Sequence, residues 1–131
     1  EGIKGAQATA MAIFWARRGV PRNRIRRDLE SMFGYDTSVS VEELQKIYEY
    51  NETCQRTVPE AFRCFYEATD FEDAIRNAVS IGGDSDTVAA IAGSMAEAKW
   101  GVPEDIGREA LARLDKDLLD TFETFIRLYL I

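Results

Sequence analysis

The chain has 131 residues, of which 46% are hydrophobic, and it carries a formal net charge of −7 at pH 7. This length is enough for one domain with a buried core, and the acidic balance argues against nucleic acid as the main partner, because phosphate binding requires a basic face. No apolar run approaches the roughly 20 residues that span a bilayer, and residues 1–9 do not form a secretory signal, so we expect a cytoplasmic protein without membrane contact.

The first half of the chain predicts helices joined by short turns. Gly2–Arg18 is rich in apolar residues and is followed by Gly19, a typical helix stop. Small residues along one face of this helix would let another helix approach closely: Gly5, Ala8, Thr9, Ala12 and Ala16. A second helix is predicted from Pro21 to Phe33, ended by Gly34. Its expected buried stripe is Ile25, Leu29, Met32 and Phe33. Its arginines are predicted to form a solvated face: Arg22, Arg24, Arg26 and Arg27.

Several start signals follow in the middle of the chain. Ser40 and Glu43 have the spacing of a capping box, which predicts a helix over Val41–Tyr48. The polar segment 51–57 is predicted to be a loop, followed by a helix over Pro59–Ala68. Asp70 is the expected N-cap of a further helix, Phe71–Ser80.

The last part of the chain also predicts helices. Thr87–Trp100 is a helix of mostly small residues, Pro103 opens another, and Asp115–Leu130 has an amphipathic pattern. No stretch alternates with period two, which predicts no sheet. The expected architecture is a single all-α domain over residues 1–131, folded as a compact orthogonal helical bundle.

The loop Gly82–Thr87 contains the residues best suited to chemistry. The chain has two cysteines and no histidine, which excludes Ser-His and Cys-His catalysis within it. Asp84 and Asp86, with the hydroxyl of Thr87, offer the oxygen ligands that Mg²⁺ prefers. Gly82 and Gly83 permit unusual backbone angles and a close ligand approach.

Other interpretations of this loop remain open. Asp84 or Asp86 is also suited to be a simple helix N-cap. An EF-hand is excluded, because its sixth position would be Ala89 and its twelfth Met95. A phosphatase-type nucleophile motif matches Asp84, Asp86 and Val88, but it requires a preceding β-strand that the sequence does not predict.

A longer string around the loop, residues 71–101, closely resembles the C-terminal signature of the ADP-ribosylglycohydrolase family. Residues 1–8 and 57–61 resemble two further segments of that family in the same order. The resemblance implies an all-α fold and hydrolysis of the bond between ADP-ribose and a protein side chain or other acceptor. It also implies two Mg²⁺ ions, for which Mn²⁺ can substitute, and a substrate that is an ADP-ribosylated protein or a small ADP-ribosyl conjugate.

The resemblance implies roles for particular residues. Asp84, Asp86 and Thr87 would be metal ligands, with Asp86 placed to bridge both ions. The resemblance also implies substrate contacts. Two of these residues belong to the loop, Gly83 and Ser85, and two belong to the segment just before residues 57–61, Tyr50 and Thr53. The acidic residue that takes part in catalysis is expected in an N-terminal half of the family domain.

The chain departs from the family pattern in one large respect. It contains no Thr-Asp-Asp-Thr motif, which in the family supplies the remaining metal ligands. We therefore expect a truncated C-terminal portion: a proteolytic fragment, a shortened form or one chain of a split protein. Such a chain should bind metal weakly and be inactive alone. It should also expose the small-residue faces of its helices, and self-associate or bind an N-terminal half. The alternative is a non-enzymatic helical module that binds ADP-ribose or a partner.

Overall fold

The computed structural model describes residues 1–47 and 49–129. Within them it contains eight α-helices and no strand, which confirms the all-α prediction. In chain order the helices are α1 (Gly2–Arg17), α2 (Arg22–Phe33), α3 (Val41–Ile47), α4 (Cys54–Glu67), α5 (Phe71–Ser80), α6 (Ser85–Trp100), α7 (Glu104–Leu111) and α8 (Lys116–Tyr129). They form two compact units: Glu1–Gly101 contains α1 to α6, and the second unit begins at Val102.

Local capping determines several helix ends as predicted. Gly34 has a φ of 67° and ends α2 in the left-handed conformation. Glu43 accepts hydrogen bonds from the Ser40 backbone N–H and hydroxyl, at 3.0 and 2.8 Å, and its own N–H donates to the Ser40 hydroxyl. Asp70 accepts the Asp73 N–H at 2.8 Å at the start of α5. These three predictions are confirmed, except that Tyr48, the expected end of the third helix, lies outside the described residues.

Most of the small residues on these helix faces are buried inside the first unit, which corrects the expectation that the faces are exposed; Thr9 is half-buried and Ala90 is exposed. Helix α6 packs against α1, α4 and α5. The buried residues of α1 are small: Gly5, Ala8, Ala12 and Ala16. In α6, Ala92, Gly93 and Ala96 are buried. A Cβ atom on Gly93 would lie 2.8 Å from the Cδ1 atom of Ile75, so the end of the Ile75 side chain occupies the space that the missing side chain leaves open.

Two helix predictions need correction. Helix α4 begins at Cys54, five residues before the predicted start at Pro59, so that Pro59 lies inside the helix. The start signal lies upstream: the Asn51 side chain accepts the Thr53 N–H at 2.8 Å, a short polar turn that leads into the helix. In α2 the buried stripe is narrower than predicted, because Met32 is 59% exposed and only Ile25 and Leu29 are buried.

The arginines of α2 are only partly a solvated face. Arg22 lies over the Trp100 ring, 5.0 Å from its centre. Its Nη1 atom donates to three carbonyls at the C-terminal end of α4: Phe65, Tyr66 and Ala68. A cation there compensates the negative end of the helix dipole. Arg26 is half-buried and paired with a carboxylate, whereas Arg24 and Arg27 are exposed as predicted.

The second unit consists of α7 and α8. The predicted helix openings at Pro103 and Asp115 are confirmed, because α7 begins at Glu104 and α8 at Lys116. The predicted end of the last helix, Leu130, lies outside the described residues. Among the described residues, no helix combines the length and hydropathy required to cross a membrane.

Glu60 is a buried carboxylate on α4, and its ionisation opposes folding. The residue is 7% exposed, one carboxylate oxygen has no hydrogen-bond partner, and the other lies 3.4 Å from Arg56 Nη2. Burial raises the pKa of Glu60, an effect that Arg56 only partly offsets. Because the folded pKa lies above the unfolded one, the native state holds the proton more tightly. Stability therefore falls as pH rises through the window between the two pKa values.

We expect Glu60→Gln to remove this penalty. The variant should be more stable than the parent chain at pH 7 by about 1 kcal/mol, with the difference disappearing near pH 4, below both pKa values. Chemical denaturation at several pH values measures this difference. Glu72→Gln is the matched control, because Glu72 pairs with Arg76 at the same helical spacing but is exposed. A Glu60→Gln difference that does not change with pH would contradict the assignment.

Candidate metal centre

The loop between α5 and α6 has an unusual backbone. Gly82 and Gly83 have φ values of 81° and 64°, a region that residues with a Cβ rarely adopt. The chain then enters α6 at Ser85, two residues earlier than the sequence predicts. As a result Asp84 immediately precedes the helix, and Asp86 and Thr87 lie in its first turn.

The three predicted metal ligands are close together. The Thr87 hydroxyl donates to Asp84 Oδ1 at 3.0 Å, and the Thr87 N–H donates to Asp86 Oδ1 at 3.0 Å. Asp84 occupies the N-cap position of α6, yet among the described residues its side chain accepts no backbone N–H of the first turn. The Asp84 carboxylate is therefore oriented by a hydroxyl and not used as an ordinary helix cap.

The two carboxylates influence each other strongly. Partial burial raises the pKa of Asp84, as do the hydrogen bond with Asp86 and the negative charges of Asp86 and Glu52, while the Thr87 hydrogen bond opposes this shift. The hydrogen bond from Asp84 and the Thr87 N–H lower the pKa of Asp86. The opposite directions of the two pKa shifts follow from the repulsion between neighbouring like charges, which makes it easier to protonate one carboxylate while the other is ionised. A divalent cation would relieve the same repulsion.

A second segment, just before α4, faces the carboxylate loop. Tyr50 is 65% exposed, and its hydroxyl donates to Glu52. The hydrogen bond to Glu52, followed by partial burial and the charges of Glu52, Asp84 and Asp86, raises the pKa of Tyr50 to about 12. Glu52 was not a predicted site residue, although its position between Tyr50 and Thr53 is a signal that could have identified it.

The other predicted contact residues occupy defined places. Thr53 precedes α4, and its hydroxyl donates to Asn51 Oδ1 at 2.6 Å. Gly83 is exposed beside the carboxylates, and Ser85 is the half-buried first residue of α6. The alternative of a phosphatase-type nucleophile is excluded, because helix α5, not a strand, comes before the loop.

The donor set fits a hard cation in kind but not in number. Carboxylate and hydroxyl oxygens are the ligands that Mg²⁺ prefers, and it takes six of them in octahedral geometry. Asp84, Asp86 and Thr87 supply only part of that set. Across residues 1–47 and 49–129, no group of three or more histidine, cysteine, aspartate or glutamate side chains is arranged to hold a metal ion.

These features define a helical protein with a carboxylate-containing loop at the start of its sixth helix. The chain belongs to the ADP-ribosylglycohydrolase family, whose profile matches residues 1–130. An uncharacterized protein of Archaeoglobus fulgidus is 44% identical to the chain over 48 residues, which are 36% of this chain and 16% of that relative. The matched segment thus covers far less than two thirds of that relative's length. No solved structure matches the chain significantly.

Proposed function

We propose that this chain forms the C-terminal part of a metal-dependent hydrolase that removes ADP-ribose from a modified protein side chain or a related conjugate. The observation that supports this most directly is the convergence of Asp84, Asp86 and Thr87 at the start of α6, in a chain of the ADP-ribosylglycohydrolase family. Membership of the family also disfavours the interpretation of the loop as a chance helix cap in an unrelated protein. A cytoplasmic location remains part of the proposal.

The proposal gives each group a task. Asp84, Asp86 and Thr87 would hold Mg²⁺ or Mn²⁺ together with ligands from elsewhere in the family domain, and the carboxylate of Asp86 would be shared between two ions. When bound, the metal supplies a Lewis acid that polarises the bond to be cleaved and orients the ribose hydroxyls. The free N–H groups at the start of α6 favour an anionic or hydroxyl oxygen beside the loop. Gly83 and Ser85 line this approach.

Tyr50 and Thr53 would contact the substrate from the side that faces the carboxylate loop. The Tyr50 ring is exposed, and the negative charges of Asp84 and Asp86 act on its hydroxyl, which supports a position of this residue beside the loop. An exposed aromatic ring is suited to stacking against a nucleobase. Its hydroxyl stays protonated at neutral pH, since the pKa of Tyr50 is raised.

The proposal implies that the chain is inactive by itself, because the remaining ligands and the acidic catalytic residue come from another part of the family domain. The test is to add a separately expressed N-terminal half of a family member with Mg²⁺ and to measure ADP-ribose release. Release only from the mixture supports the proposal. Binding of the two halves without release would favour the alternative, a non-enzymatic module that recognises ADP-ribose or a partner.

We expect the isolated chain to bind Mg²⁺ weakly, with a Kd on the order of 1 mM, because two carboxylates and a hydroxyl leave several positions to water. Calorimetric titration measures this affinity. A double variant, Asp84→Asn with Asp86→Asn, should lose the binding heat. Sub-micromolar affinity in the parent chain would show that the site is complete, contrary to the proposal.

The expected partners follow from the same argument. The chain is predicted to self-associate or to bind an N-terminal half, and analytical ultracentrifugation tests this. The net charge of −7 does not favour nucleic acid as a ligand. The substrate would be an ADP-ribosylated protein or an ADP-ribose-containing small molecule.

A further inference from the structure

A polar cavity lies in the first unit, lined by residues of α2 and α4. Its volume is about 450 Å³, and it is lined by Arg22, Asn23, Arg26, Arg63, Tyr66 and Glu67. Tyr66 is 13 residues further along α4 than Thr53, so it lies about 20 Å along the helix from the segment beside the carboxylate loop. The cavity is therefore separate from the candidate metal centre.

The charge of this cavity is opposite to that of the chain. Three guanidinium groups and one carboxylate line it, whereas the chain as a whole has a net charge of −7. Glu67 is neutralised by Arg63, whose Nε lies 2.6 Å from Glu67 Oε1, and Arg26 pairs with Glu30 at 2.9 Å. Because each of these two ion pairs is neutral overall, the net positive charge of the cavity is that of Arg22.

Arg22 has no carboxylate partner among the described residues. Its Nη1 atom donates to backbone carbonyls at the C-terminal end of α4, which carry only the partial negative charge of the helix dipole and no formal charge. Within the described part of the chain, its Nε and Nη2 atoms have no acceptor, nor does Nη1 of Arg26. Two arginines thus retain unused donors at one cavity.

The Tyr66 hydroxyl adds an independent observation. It is shielded from solvent and has no hydrogen-bond partner among the described residues. A buried hydroxyl without a partner destabilises the folded state, so native structures rarely leave one unsatisfied. Burial also raises the pKa of Tyr66 well above the neutral range, which keeps the hydroxyl a donor.

We propose that this cavity binds the phosphate group of a small molecule. Planar guanidinium groups match phosphate oxygens, and the charge-assisted hydrogen bonds they form are stronger than neutral ones. Arg22 and Arg26 donate to the phosphate from α2, and the Tyr66 hydroxyl, which is shielded in the free structure, reaches it from α4 by a shift of the side chain. The volume also admits an organic group attached to the phosphate.

Calorimetric titration of the full chain tests this site, with inorganic phosphate and ribose 5-phosphate as separate probes. Both titrations contain EDTA, so that trace metal ions do not contribute to the measured binding. Chloride holds the ionic strength constant, so that changes in electrostatic screening do not contribute either. We expect a Kd of about 1 mM or tighter for at least one probe. The preferred probe shows whether free phosphate or a phosphate ester is the occupant. Absence of binding by both at about 20 mM would overturn the proposal.

Single substitutions test whether phosphate binds in this cavity. Tyr66→Phe removes an unpartnered buried hydroxyl, so it should keep or raise the free energy of unfolding while it weakens phosphate binding about tenfold. Arg26→Gln should also weaken phosphate binding about tenfold. Arg24→Gln is the matched control, since Arg24 lies on the same helix but pairs with Asp28 and does not line the cavity. Equal weakening in Arg24→Gln would show diffuse attraction and overturn the site.

Discussion

Asp86→Asn is expected to reduce ADP-ribose release by the complemented protein by more than about 100-fold, because even residues that only orient metal ligands contribute 10–100-fold. The change replaces a carboxylate oxygen that lies in the first turn of α6, beside the Thr87 N–H. Asparagine retains the shape of the side chain but not its charge. The assay is Mg²⁺-dependent release of ADP-ribose by the chain mixed with a family N-terminal half.

The fold should tolerate this variant. Asp86 is exposed, so thermal unfolding of Asp86→Asn without metal should stay within about 0.5 kcal/mol of the parent chain. Asp70→Asn is the matched control: it makes the same change at the start of α5, where asparagine caps as well as aspartate. Activity that survives in Asp86→Asn, or is lost equally in Asp70→Asn, would disprove the metal role.

Phe62→Ala is expected to destabilise the first unit by about 3–5 kcal/mol. Phe62 is fully buried on α4, and its ring contacts those of Tyr35 and Tyr66, with centroid separations of 6.1 and 6.2 Å. Truncation removes buried apolar surface and leaves a cavity that neighbouring side chains cannot fill. Because domains of this size are stable by only about 5–15 kcal/mol, the variant should show a much lower denaturation midpoint.

Phe14→Ala is the matched control for this core substitution. Phe14 lies on α1 and is 61% exposed, so its truncation should change the unfolding free energy by no more than about 0.5 kcal/mol. Chemical denaturation monitored by circular dichroism measures both variants. A similar loss in the two variants would mean that α4 is not the centre of the core.

Helix ends with a local chemical signal are predictable from the sequence. The Ser40–Glu43 capping box, the Asp70 cap and the Gly34 stop depend on residues within four positions of each other, and the structure contains all three. The carboxylate loop was predictable for the same reason, because its residues are adjacent in the chain. Its role as a metal centre remains a prediction.

Features that depend on distant residues were not predictable. Arg22 was assigned to a solvated face because the carbonyls that it binds lie 43 to 46 residues away. The electrostatic influence of Glu52 on Asp84 likewise requires the loop and the start of α4 to meet in space. The start of α4 was placed too late because Pro59 normally opens a helix, whereas here the buried Val58, Ala61 and Phe62 favour helix on both sides of it.

The paired glycines before α6 have a consequence for how this loop can change during evolution. Gly82 and Gly83 are both held at positive φ, and each replacement by a residue with a Cβ would cost roughly 1 kcal/mol in backbone energy alone. That penalty acts on folding whether or not the loop ever meets a metal ion. Selection for a stable chain would thus retain the glycines, and only selection for chemistry would retain Asp84 and Asp86. A descendant that kept the glycines and lost the carboxylates would have the backbone of this loop without the ligands of the proposed metal centre.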